Sequence, residues 1–66
     1  MKINEMRLVS AMTAQNLTMF NLSELSGVSK ATLSAVKNGK SCSFKTAVKL
    51  AKALELDVMK LIERED

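Results

Sequence analysis

A chain of 66 residues has room for one domain at most, and one this short buries only about 60% of its unfolded surface. With 47% hydrophobic residues and no proline, tryptophan or tyrosine, the composition fits a packed helical domain and excludes disorder or a many-turned β protein. One cysteine and no histidine exclude an internal disulfide and the usual zinc or iron–sulfur ligand sets, and the net charge of +3 hides a dipole: residues 28–52 hold six lysines and no carboxylate, against four basic and seven acidic side chains elsewhere.

Asn4 is placed to cap a first helix over residues 4–14, with Glu5 in its first turn and Met6, Leu8, Val9, Ala11 and Met12 at helical spacing. Asn16 marks a turn. A short second helix is expected over 18–25, with Met19, Leu22 and either Leu25 or Ser26 on one face. Gly27 suits a left-handed position after it, so that Val28 packs inward and Ser29 caps a third helix over 29–37 with Leu33 and Val36 inside. Asn38-Gly39 breaks that helix, and Lys40 to Cys42 form a short link. Ser43 then caps a fourth helix over 43–54, with Phe44, Ala47, Val48, Ala51 and Leu54 on one stripe and Lys45, Lys49 and Lys52 on another. Asp57 caps a last helix expected over 57–64, with Val58, Leu61 and Ile62 facing inward ahead of an acidic end, Glu63 to Asp66. The expected fold is all-α, five helices in one unit spanning 1–66, because no linker, repeat or low-complexity tract interrupts the chain. No apolar run approaches the roughly 20 residues of a membrane span, and Met-Lys-Ile-Asn-Glu has no hydrophobic signal core. The expected compartment is the cytoplasm, where a lone thiol stays reduced.

Function is concentrated between Leu22 and Lys40. Two helices joined by a tight turn need a small residue at their crossing, which Ser23 supplies, and a glycine to reverse the chain, which is Gly27. With Leu22, Val28, Leu33 and Val36 inside, Ser29, Lys30, Ala31, Thr32, Ser34 and Ala35 point outward. Such a short-side-chain helix can approach the floor of a DNA major groove. The lysine segment is the electrostatic footprint of a polyanion partner, although a merely solvated lysine face has the same composition.

Leu17-Thr18, Gly27-Val28-Ser29, Asn38-Gly39-Lys40 and Ser43-Phe44-Lys45-Thr46 stand in one register that resembles the lambda-repressor-like (Cro/repressor, XRE-type) helix-turn-helix family. The resemblance covers nearly the whole chain and implies a cytoplasmic, nucleoid-associated regulator of bacterial or phage origin. It also implies a recognition helix whose Lys30, Ala31 and Ala35 face base edges, with Thr32 and Ser34 nearer the sugar-phosphate backbone, and these five form the expected base-contact set. Asn38 and Lys40 match the loop where the family meets phosphate, Lys45 is near enough to join them, and the expected phosphate set is completed by Thr18, Ser29 and a Lys37 turned outward. Two positions depart from the pattern. Met19 stands where a glutamine often meets phosphate, and Met12 and Lys37 stand where many members pair an arginine with a glutamate.

The function expected from these features is sequence-specific binding of double-stranded DNA by a transcriptional repressor that occupies a promoter. Met59, with Leu56, is surplus apolar surface on the last helix and suggests a homodimer on a palindromic operator. The competing reading is an antitoxin or other protein-interaction module of the same fold. RNA is less favoured, because the aromatic stacking surface of single-strand readers is missing. No cofactor or metal is expected, and catalysis is not, since there is no histidine base and no glycine-rich phosphate loop. Cys42 reads either as an ordinary loop residue or as a thiol activated by neighbouring lysines.

Overall fold

Every helix begins on a residue whose side chain takes up an orphan backbone N–H, and those caps set the element boundaries. A computed structural model describes residues 1–62. In it α1 runs Glu5–Ala14, α2 Met19–Ser26, α3 Lys30–Lys37, α4 Phe44–Ala53 and α5 Val58–Leu61. The caps are Asn4, Thr18, Ser29, Ser43 and Asp57, all in extended backbone conformation. Asn4 Oδ1 accepts the Arg7 N–H at 3.0 Å, and Asp57 Oδ1 accepts that of Met59 at 2.9 Å.

Helix ends are equally local. After α1, α3 and α4 the chain passes through a left-handed residue, Asn16 (φ 55°), Gly39 (φ 95°) or Glu55 (φ 59°). The following N–H then reaches back to the carbonyl five residues earlier: Leu17 to Met12, Lys40 to Ala35 and Leu56 to Ala51, at 2.8, 3.0 and 2.8 Å. This double-bonded ending satisfies the last carbonyls of each helix.

The core gathers Leu8 and Met12 from α1, Leu22 from α2, Leu33 and Val36 from α3, a stripe of Ala47, Leu50 and Ala51 on α4 continued by Leu54 at its end, and Leu61 from α5. Ile3 and Val28 close it from outside the helices. Several residues expected on the inner stripes lie elsewhere. Met6 is 80% exposed and Val9 is also exposed, because the α1 stripe is set by Leu8 and Met12 and these two fall off it. On α2 Leu25 is 62% exposed while Ser26 is half-buried. Phe44 has the right periodicity, but as the first residue of α4 it stands at the end of the stripe and is exposed. Leu50 takes the central place instead.

The ends of the described chain pair in ways that local pattern does not reveal. Ile3 and Ile62 form an isolated antiparallel bridge, and the Asn4 N–H donates to the Leu61 carbonyl at 2.9 Å. Ile62 is therefore extended (ψ 151°), and α5 stops at Leu61 rather than continuing through Ile62. Residues 63 and 64 of the expected last helix lie outside the described residues. Two side chains cross-brace the bundle: Arg7 Nη1 donates to the Lys60 carbonyl at 2.8 Å, and Gln15 Nε2 to that of Leu54 at 2.6 Å.

Candidate nucleic-acid interface

Two serines fasten the turn between α2 and α3. Ser26 Oγ donates to the Leu22 carbonyl at 2.7 Å and accepts the Val28 N–H at 3.1 Å. Ser23 Oγ donates to the Val28 carbonyl at 2.6 Å. Gly27 (φ 75°) takes the left-handed step between them, and its N–H donates to the Ser23 carbonyl at 2.9 Å. Ser23 is thus more than a small residue at a crossing, and Ser26 has a function that spacing alone did not single out. With Val28 buried beneath, these bonds fix the direction in which α3 leaves the turn.

On α3 the structure places Lys30, Ala31, Thr32 and Ser34 at the surface and Ala35 half-buried, opposite the buried Leu33 and Val36. Ser29 Oγ donates to Thr32 Oγ1 at 3.0 Å and accepts the Thr32 N–H at 3.2 Å. The Ser29 proton is spent inside the cap, which leaves the Thr32 hydroxyl proton for an outside acceptor. The N–H groups of Lys30 and Ala31, in the first turn of α3, have no acceptor within the helix.

Thr18 shows the same economy. Its hydroxyl donates to Asn21 Oδ1 at 2.9 Å and accepts the Asn21 N–H at 3.1 Å, and its N–H donates to the same Oδ1 at 3.1 Å. The side-chain NH2 of Asn21 takes no part, so this residue, absent from the sequence-based set, offers donors beside Thr18. The signal for it was present: a Thr-x-x-Asn spacing is a variant of the capping box. Met19, where the family's glutamine would stand, packs against the core. Met12 is buried and Lys37 half-buried at the places of the missing ion pair. An apolar residue there need not destabilise the fold.

Beyond α3, Asn38, Gly39 and Lys40 are exposed. Their N–H groups return to Ser34, Val36 and Ala35, each at 3.0 Å, which holds the loop. Cys42 is clasped to the amino terminus: its N–H donates to the Met1 carbonyl at 2.7 Å, and the Met1 ammonium donates to the Cys42 carbonyl at 3.0 Å. Burial pushes the Cys42 thiol above its ordinary pKa, with the N-terminal ammonium pulling weakly the other way. Ser43 repeats the cap of α3, donating to Thr46 Oγ1 and accepting the Thr46 N–H, both at 3.1 Å. Exposed Lys45 follows in the first turn of α4. Lys49 and Lys52 instead line a hollow with Leu25 and Ser26, at the C-terminal end of α2.

On α5 Met59 is 46% exposed, whereas Leu56 is half-buried against the core, so Leu56 is only partly surplus surface. No described helix is long and apolar enough to cross a membrane.

The family model of the Cro/C1-type HTH DNA-binding domain matches residues 7–66. No curated protein and no solved structure matches the chain. The match takes in α2, the serine-fastened turn and α3 together with the helices that support them, and the chain belongs to the Cro/C1-type HTH DNA-binding domain family.

Proposed function

We propose that the chain is a sequence-specific regulator of transcription, a repressor that occupies its operator with α3 in the major groove. The observation that carries this reading is the outer face of α3, where Lys30 is the only long side chain among Ala31, Thr32, Ser34 and Ala35. A helix must come within hydrogen-bonding distance of base edges to read them, and short side chains permit that approach. Lys30 donates to guanine O6 and N7, while Ala31 and the Thr32 methyl suit a thymine methyl. Around this face Lys37, Asn38, Lys40 and Lys45 meet phosphate. At Thr18 and Ser29, with both hydroxyl protons held in the caps, the phosphate donors are the first backbone N–H groups of α2 and α3. Repression follows from occupancy alone, without an activating contact. A palindromic operator and a homodimer through Met59 and Leu56 complete the proposal.

Selection of bound duplexes from a random oligonucleotide pool tests this directly. An enriched inverted repeat with half-sites one helical turn apart, roughly 34 Å, is the expected product. A pool that stays random through successive rounds overturns sequence-specific binding.

A further inference from the structure

Phe20 and Phe44 are the chain's only aromatic residues, and neither is in the core: they are 56% and 54% exposed. A domain this small has little apolar area to leave in water, and phenyl rings are its largest apolar groups. Their positions are related. Phe20 is the second residue of α2, after the Thr18 cap, and Phe44 is the first of α4, after the Ser43 cap. Phe20 also lines one hollow with Gly27, Ser29 and Lys30, so its ring borders the start of α3. Glu24 lines the same hollow, and its carboxylate disfavours phosphate there.

We propose that Phe20, beside the start of α3, and Phe44, between the Ser43 cap and Lys45 at the head of α4, are apolar DNA contacts that pack on deoxyribose. This rests on the DNA-binding reading above and extends it to residues outside the expected contact set. The sugar is the apolar part of the DNA backbone, and a phenyl ring laid on it removes water from both surfaces without exchanging an ion. Such a contact strengthens binding to every sequence and is insensitive to salt, whereas each lysine that neutralises a phosphate makes binding steeply salt-dependent.

The test uses the full chain, the selected duplex and a scrambled one. Phe20→Ala and Phe44→Ala are each expected to lower affinity about fivefold to tenfold on both duplexes, from the apolar area lost. The slope of log affinity against log salt is expected to stay at the wild-type value, while Lys40→Ala lowers it by about 1. Phe20→Leu is expected to retain part of the lost affinity, and thermal melting of all three phenylalanine variants to match wild type, since the rings are outside the core. Wild-type affinity in the alanine variants, a changed salt slope, or a loss of self-association in place of DNA binding overturns the assignment. If the unaltered chain binds no duplex, the DNA-binding reading itself fails; if it binds and the alanine variants bind equally well, only the aromatic contacts fail.

Discussion

Lys30 and Lys40 carry the same charge and are both exposed, yet the proposed docking gives them different work. Lys30 opens the recognition helix, where its donors meet base edges; Lys40 sits past the Gly39 turn, beside phosphate. Lys30→Ala is expected to cost about 1–3 kcal/mol on the selected duplex and to relax preference at one base pair. Lys40→Ala is expected to weaken selected and scrambled duplexes alike. Fluorescence anisotropy on both duplexes separates the two, and identical behaviour of the variants counts against α3 in the groove. Cys42 illustrates the reverse case, a residue whose neighbours in sequence mislead. Flanking lysines suggest a thiol of lowered pKa, but burial against the clasped amino terminus dominates and raises it. The folded chain therefore holds the thiol proton more tightly than the unfolded chain. At mildly alkaline pH iodoacetamide is expected to alkylate native Cys42 more slowly than the same residue in denaturant, and faster native alkylation contradicts the buried-loop account.

Helix ends are where the elements are least optimised. Glu55 occupies a left-handed conformation (φ 59°) that an ordinary side chain adopts at a cost of roughly 1–2 kcal/mol. Glu55→Gly is expected to raise stability by about 1 kcal/mol and the melting temperature by roughly 4–8 °C. Gly27→Ala is expected to act in the opposite direction. A Cβ there meets nothing within 4 Å, so the loss comes from the backbone at φ 75° alone. Circular dichroism melts of the two variants check both signs. The caps at Asn4, Ser29, Ser43 and Asp57 were legible because each is a one-residue signal answered within three residues: Ser29 by Thr32, Ser43 by Thr46. The outward face of α3 was legible for a related reason, since buried Leu33 and Val36 fix its phase. Phase failed where only periodicity was available, as with Met6 on α1 and Phe44 at the head of α4. Glu55 was illegible because its backbone is set by Leu54 and Leu56 packing on either side, not by its own preference. The pairing of Ile3 with Ile62 and of Met1 with Cys42 joins residues far apart in the chain, and no local pattern encodes it.

The size of the molecule bears on how it can be specific. The described fold measures 32 × 22 × 18 Å and offers one recognition helix of eight residues, about 12 Å long. One such helix contacts only a few base pairs, too few to single out an operator among genomic competitors. Two copies related by a two-fold axis double the contacted sequence and set the spacing between half-sites. The surface for that union is proposed at α5, where Met59 is exposed and Leu56 is shared between core and surface. Leu56 is a poor site for a test, because altering it also disturbs the fold. Met59→Asp is the cleaner change: a carboxylate buried in an apolar contact opposes an identical carboxylate across the two-fold axis. The variant is expected to melt like wild type in dilute solution where both are monomeric, to sediment as a monomer at concentrations where wild type is dimeric, and to bind an isolated half-site unchanged. Its affinity for the full inverted repeat is expected to fall at least about tenfold, the loss of roughly 1.4 kcal/mol of coupling between half-sites. Equal binding of Met59→Asp and wild type to the full repeat places the dimer contact elsewhere on the molecule. Weakened binding to the half-site as well instead makes Met59 part of the DNA surface.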